Sequence, residues 1–145
     1  MSNLFGKVKI DQVLGYYAAA QTKRTSDIVD MSGWEGCIFV AGLGTIIENG
    51  TLDVAVEQNT ANTTSGMAAV AGTAVHTVTA ANALLAKSCI VVDIYKPRER
   101  YLQCYITPAA QNAVILGIVA IRYNGSAPDI TGAIKATVLA SPAEA

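Results

Sequence analysis

The sequence is poor in charge. Only 14% of its 145 residues are charged, whereas 52% are hydrophobic, and typical globular chains carry about 25% charged residues. Because a small monomer needs charge on its large surface, the deficit predicts that other subunits cover part of it. We therefore expect a symmetric homo-oligomer. The net charge of −1 offers no basic patch of the kind that nucleic-acid binders show, so nucleic acid is not an expected partner.

Long apolar segments are also lacking. The longest apolar run, residues 113–121, is far shorter than the roughly 20 residues that a membrane-spanning helix needs. The first residues contain no extended apolar region of the kind found in signal peptides. A membrane is therefore not an expected partner, and we expect no secretion.

Cysteines are few and odd in number. Cys37, Cys89 and Cys104 are widely spaced, which argues against both a disulfide framework and a zinc site. Each lies in an apolar run, so we expect all three to be small core side chains. Free core thiols favour folding in a reducing compartment.

Catalytic motifs are missing as well. The single histidine, His76, has no cysteine or histidine partner at ligand spacing. The chain has no nucleophile elbow and no phosphate-binding glycine loop. Paired carboxylates from different strands stay open as an alternative, although solvated strand faces and turns explain the scattered acidic residues better. We expect no enzyme activity, no catalytic residues, no cofactor and no metal.

What the sequence has is a series of short strand-like runs separated by turn residues, which predicts an all-β fold, an antiparallel β-sandwich. Residues 7–14 read as an early strand or an extended arm, and residues 16–20 as a strand or a helical turn. Residues 36–42 are apolar on both faces, which predicts a strand buried on both sides. Asn49-Gly50 is the strongest hairpin signal in the chain. The alternating residues 52–57 then predict a strand with one solvent-facing and one buried side.

The second half follows the same pattern. Residues 58–72 predict a long exposed loop, with a helical turn near 67–70. Further strands are expected at 74–79, 89–95, 101–107 and 114–123, with residues 80–87 open between helix and strand and a turn at 108–112. This gives three parts: an N-terminal arm or early strand (1–24), a sandwich core (25–125) and a C-terminal strand or arm (126–145).

One stretch resembles a known group of proteins. Residues 30–40 read Asp-Met-Ser-Gly-Trp-Glu-Gly-Cys-Ile-Phe-Val, residues 44–46 read Gly-Thr-Ile, and residues 50–57 read Gly-Thr-Leu-Asp-Val-Ala-Val-Glu. An aspartate, a turn, Gly-aromatic-Glu-Gly, a hydrophobic strand, a Gly-Thr hairpin and a strand with an acidic end resemble the small head proteins of tailed bacteriophages. Residues 100–104, Arg-Tyr-Leu-Gln-Cys, and 120–123, Ala-Ile-Arg-Tyr, fit the second half of that pattern.

The resemblance implies a decoration or cement protein. Such a protein is a jelly-roll-like β-sandwich, expected as a trimer on the outer capsid surface at threefold or quasi-threefold positions. Its partner is the phage major capsid protein, its final location is the virion, and it folds in the host bacterial cytoplasm. The long loop and both terminal arms depart from the pattern.

Two sets of contact residues follow from this hypothesis. Leu4 and Phe5 are apolar anchors in an otherwise polar start and need a partner to bury them, which predicts a capsid-facing arm. The expected capsid contacts are Ser2, Asn3, Leu4, Phe5, Lys7 and Lys9. The expected subunit-interface residues are Trp34, Tyr101 and Tyr105, although core or cross-strand packing is the more common role of such aromatic residues.

Three other functions stay open. A phage tail or head–tail joining protein would form rings or tubes instead of trimers. A β-sandwich carbohydrate-binding module would expose Trp34 and the tyrosines as an aromatic platform. A small hydrolase would need a carboxylate pair or a histidine dyad in a pocket, and the single histidine disfavours it.

Overall fold

The computed structural model describes residues 7–72, 74–77 and 88–125, with the backbone alone for 74–77. The chain forms two antiparallel sheets that pack against each other, so the predicted all-β sandwich is confirmed. The strands of the described residues are β1 (Val8–Leu14), β2 (Tyr17–Ala20), β3 (Arg24–Thr25), β4 (Val29–Asp30), β5 (Gly36–Ile46), β6 (Thr51–Asn59), β7 (Ala68–Ala69), β8 (Ala74–Thr77), β9 (Cys89–Tyr95), β10 (Tyr101–Ala109) and β11 (Ala113–Tyr123).

Sheet A has the order β1-β11-β5-β9, and β2 continues along the same edge of β11 as β1. Sheet B has the order β3-β10-β6-β7, where β4 extends β3 along β10 and β8 pairs with β6. The chain crosses between the sheets after β2, β4, β5, β8, β9 and β10. Each sheet is thus four strands wide, and the strand order is that of a jelly roll.

Alternating side chains build the core between the sheets. On β10, Leu102, Cys104 and Ile106 are fully buried, as the period-two pattern predicts. They pack against the buried row of β6 and against Phe39 of β5. This apolar contact between the sheets is the main source of stability, because every fully buried aliphatic or aromatic side chain contributes roughly 1.5–3 kcal/mol.

The Asn49-Gly50 turn does not make the predicted hairpin. Asn49 has a positive φ of 70°, and the Gly50 N–H donates a 3.2 Å hydrogen bond to the Ile47 carbonyl, so the chain does reverse here. However, β5 belongs to sheet A and β6 to sheet B. The two strands face each other across the core instead of pairing, because each needs the other to bury its apolar side.

Three local expectations need correction. Cys89 is exposed, whereas Cys37 and Cys104 are buried, because Cys89 starts a strand at the edge of sheet A and points outward. The predicted helical turn near 67–70 is instead the short strand β7, which pairs with β6. The predicted turn at 108–112 begins later, because β10 continues through Pro108. Pro108 lies beyond the pairing with β3, where β10 is an edge strand that tolerates proline.

Several sequence-based expectations fall outside the described residues. These are the positions Ser2, Asn3, Leu4 and Phe5, residues 80–87, the side chain of His76 and the C-terminal segment 126–145.

Candidate interaction surfaces

One end of the sandwich gathers both ends of the described chain. Val8 of β1 pairs with Tyr123 of β11, Tyr123 pairs with Gly36 of β5, and Gly36 pairs with Tyr95 of β9. The start of β1 and the end of β11 therefore lie in one row. The turns 31–35 and 96–100 connect the sheets at this same end. We call this the terminal end.

The turn 96–100 stands between two open grooves. The first has a volume of about 460 Å³ and lies between Trp34, Glu35 and the turn. The second, of about 410 Å³, lies on the other side, against Gln58 and Val70. The turn carries charges of both signs, and its exposed side chains are Lys96, Arg98 and Arg100. These open grooves are lined by both apolar and charged side chains, and they fit an extended segment of another protein better than a small enclosed ligand.

Trp34 sits beside the first groove and is partly buried against the core. A side chain on Gly125 would overlap the indole ring, so the chain passes directly over Trp34 as it leaves β11. One face of this ring is therefore occupied by the chain itself. The tryptophan is the only one in the protein, and its position makes it a reporter of changes at the terminal end.

Charged side chains tie the terminal end together. Arg100 donates two hydrogen bonds of 2.9 Å, from Nε and Nη2, to the two carboxylate oxygens of Asp30. The hydrogen bond from Arg100 holds the pKa of Asp30 below its usual value. Arg122, nearly buried, donates from Nη1 to the Asp30 carbonyl at 2.7 Å and from Nη2 to the Asp11 carboxylate. Asp30 thus links β4, β10 and β11, while Arg122 bridges sheets A and B.

A loop of defined shape completes this end. The side-chain amide of Asn59 donates to the carbonyl oxygens of Thr63 at 3.0 Å and Ser65 at 2.9 Å. Its oxygen accepts from the N–H of Ala61 at 3.2 Å. Because Asn59 pairs with Tyr101, the exposed loop 60–67 also projects from the terminal end. The predicted long loop is therefore organised by one side chain.

The predicted capsid contacts can be followed only in part. Lys7 is exposed just before β1, and Lys9 is half-buried on that strand, where it pairs with Arg122 in the ladder. The other four, Ser2, Asn3, Leu4 and Phe5, precede the described residues. Since β1 begins at the terminal end, the predicted arm connects to the sandwich there.

The predicted interface residues lie on two different surfaces. Trp34 is at the terminal end, whereas Tyr101 and Tyr105 are half-buried on the outer side of sheet B. The Lys23 ammonium lies 3.9 Å from the centre of the Tyr105 ring. Burial and the nearby Asp53 carboxylate raise the pKa of Tyr105. This outer side is polar, so the structure gives these tyrosines local partners and does not bring them together with Trp34.

Sequence reasoning missed a more apolar surface, the outer side of sheet A. Its outward-facing apolar residues are Ile10, Ile38, Val40, Val91, Val114, Leu116, Val119 and Ile121. We call this set the apolar face. Val91 and Leu116 are 52% and 50% exposed. The two-sided apolar pattern of β5 and β11 was the signal, but it predicted burial on both sides, whereas the outer side is only half-covered in the single chain.

Two tyrosines border the apolar face. The rings of Tyr95 and Tyr123 lie parallel, with centroids 6.5 Å apart, and the Tyr123 hydroxyl donates a 2.6 Å hydrogen bond to Asp93. Burial and this carboxylate raise the pKa of Tyr123 to about 12. Asp93 is therefore a partnered charge at the edge of an otherwise uncharged surface.

The remaining side chains that could react or bind a metal ion lie apart from one another. Burial raises the pKa of both Cys37 and Cys104 to about 12. In the part of the chain that the structure describes, no group of three or more His, Cys, Asp or Glu side chains is arranged to hold a metal ion. No helix within the described ranges has the length and apolar character to cross a membrane.

Comparison with known proteins adds no relative: no protein-family model and no curated protein sequence matches the chain. Its function is therefore inferred from the fold and from the surfaces described above.

Proposed function

We propose that this chain is a structural protein of a bacteriophage virion, a homo-oligomeric decoration protein that binds the outer capsid surface and clamps neighbouring major capsid subunits. The observation that carries the proposal is the position of the first and last described residues. Lys7 and Gly125 lie at the same end of a jelly-roll sandwich, beside the exposed turn 96–100. A protein that attaches through extended arms needs both arms on the side that faces its support.

The residues that carry the sequence resemblance support the proposal because they form one cluster. Asp30, at the start of the resembling stretch, is bonded by Arg100 from the second resembling segment and by Arg122 from the third. Trp34 lies against Gly125, where the chain leaves β11. These residues of the chain shape the terminal end and close the sandwich there.

The shape of the terminal end also supports a protein partner. Three connecting segments, the turns 31–35 and 96–100 and the loop 60–67, form an uneven surface with two grooves. Mixed charges surround the grooves, and exposed Lys96 and Arg98 stand between them. Many modest contacts over such a surface, multiplied by several copies of the chain, give tight attachment through avidity.

The proposal is tested by sedimenting the purified protein with isolated phage heads that were assembled without it. We expect binding to be lost when residues 1–6 are deleted, a change that leaves β1 intact from Val8. Deleting residues 1–9 would be less informative, because it removes Val8, which is 2% exposed and begins β1.

A matched pair of substitutions locates the contact. Arg98→Gln and Gln21→Glu each lower the net charge by one unit, but Arg98 is at the terminal end and Gln21 follows β2 at the opposite end. We expect weaker binding only for Arg98→Gln, together with a change in Trp34 fluorescence when the wild type binds. Equal binding of both variants and of the deletion would reject the terminal end as the contact, and a wild type that binds no heads would reject the function.

A further inference from the structure

We infer that the apolar face of sheet A is the surface through which two copies of this chain pack against each other. This association involves the protein alone, so it is independent of capsid binding. The reason lies in a contrast between the two outer sides of the sandwich.

The outer side of sheet B is polar, and its residues are half-buried or buried within the single chain. Its outward residues include Asp53, Glu57 and Thr107, and Lys23 covers the Tyr105 ring. The outer side of sheet A has Asp93 as its only charged residue among the described outward positions of β1, β5, β9 and β11, and Asp93 already accepts the Tyr123 hydroxyl. Strands with apolar residues on both sides are typical of sheets that are covered on both sides.

The size of the apolar face suits the centre of a protein interface. Four strands about 4.8 Å apart and about seven residues long, at about 3.4 Å per residue, cover roughly 400 Å² in projection. A stable interface of standard size buries about 800 Å² per partner, with an apolar centre and a polar rim. The face supplies that centre, and Gln12, Tyr95 and Tyr16 at its borders are suited to the rim.

The apolar face also has a projecting side chain beside a recess. β11 bulges where Leu116 and Gly117 lie opposite the single residue Gly42. The bulge directs Leu116 outward, and it leaves a recess of about 220 Å³ whose lining includes Val40, Gly42 and Gly117. A bulge is a common means of re-aiming a side chain in a sheet.

Gly117 keeps this recess open. Its φ is +142°, and a side chain there would overlap Gln12 and the Leu14 carbonyl, so only glycine fits the bulge. Each copy thus presents a projecting apolar side chain next to an apolar recess large enough for one. A second copy of this chain is the occupant that brings both features together, because contacts between identical copies require a surface that complements the same chain.

The experiment is light scattering after gel filtration of the full chain over a range of concentrations. Leu116→Asp and Val91→Asp place a carboxylate on the apolar face, and Ile47→Asp is the matched control. Ile47 is 45% exposed, similar to the other two, but lies in the turn between β5 and β6, away from the face. We expect an oligomeric wild type and control, and association weakened at least about tenfold in both face variants, since each buries a charge in an apolar contact.

Cys89 provides a second measurement without mutation. It is exposed and pairs with Gly42 at the margin of the recess, so association should slow its reaction with a maleimide. Slower reaction at high protein concentration, reversed by Leu116→Asp, supports the inference even if one variant folds poorly. A monomeric wild type, or an oligomer whose mass and Cys89 reactivity are unchanged by both face substitutions, would overturn it.

Discussion

Gly36 lies directly under the ring of Tyr123, so that a methyl group at Gly36 would overlap the ring. The ring cannot move aside without cost, because its hydroxyl is hydrogen-bonded to Asp93 and its face stacks on Tyr95. The contact explains why a glycine begins β5, a strand that is otherwise rich in larger side chains.

Substituting Gly36→Ala should therefore destabilise the fold. We expect a loss of roughly 1–3 kcal/mol in the free energy of unfolding, the usual cost of overpacking a filled site, measured by urea denaturation. Gly15→Ala is the control, because a Cβ there would meet no atom within 4 Å. Equal stability of the two variants would show that Tyr123 moves freely in spite of its hydrogen bond and its stacking on Tyr95.

The ion pair between Arg100 and Asp30 should give a small acid dependence. The Arg100 hydrogen bond lowers the pKa of Asp30 from its ordinary value of 3.8, so the folded state binds this proton less readily than the unfolded state. The contribution is present above pH ~5 and is lost as the pH falls through the lowered pKa. It is modest, because the two side chains are 54% and 43% exposed and solvent screens them.

Denaturation of Asp30→Asn between pH 2 and 7 checks this expectation. The variant should be less stable than the wild type near neutral pH, and the difference should shrink in acid. Asp27→Asn makes the same chemical change at an exposed aspartate three residues away. A stability difference for Asp30→Asn that grows as the pH falls would contradict a lowered pKa for Asp30.

The three thiols should react very differently. Cys89 is exposed, whereas Cys37 and Cys104 are buried with pKa values raised to about 12. Because the thiolate is the reactive form, we expect one thiol per chain to react at pH 8 in the native protein at low concentration, and three after unfolding. Cys89→Ser should abolish the native reaction, and a second fast thiol in that variant would show that the sandwich opens readily.

Asn59 should control the order of the loop 60–67. Its side chain makes three hydrogen bonds to the loop backbone, and each bond contributes roughly 0.5–1.5 kcal/mol. We expect Asn59→Ala to be cleaved in this loop about fivefold faster or more by a nonspecific protease. Asn62→Ala, in the same exposed loop, is the control, and equal cleavage of the two variants would show that other contacts hold the loop.

The sequence allowed the all-β sandwich and the inner side of β10 to be predicted, because period-two alternation directly reports which side of a strand is dry. It could not show that Asn49-Gly50 leads across the core, since a turn signal reports reversal of the chain but not the sheet that the next strand joins. Cys89 was assigned wrongly because an apolar neighbourhood does not reveal an edge position. The apolar face was missed for a related reason. A strand with apolar residues on both sides has the same sequence pattern whether its outer side is covered or exposed.

The candidate residues at the terminal end illustrate the same limit. Trp34, Arg100 and Asp30 were all singled out or included in the resembling segments, yet the contact between Arg100 and Asp30 joins residues 70 positions apart in the chain. Such contacts depend on the order of strands in the two sheets, which local patterns do not determine. Asn59 gave no signal at all, because its role depends on the shape of the loop that it organises.

The position of β1 and β11, whose outer termini Val8 and Tyr123 lie side by side, has a practical consequence for engineering. A foreign domain fused before β1 or after β11 would be held at the terminal end, against the support that the protein is proposed to grip. Peptides meant to be displayed to the medium belong instead in the turn between β5 and β6 or in the turn between β10 and β11, at the far end of the sandwich. The two ends of the sandwich are thus not equivalent, and the end chosen for a fusion would determine which way the fused domain faces.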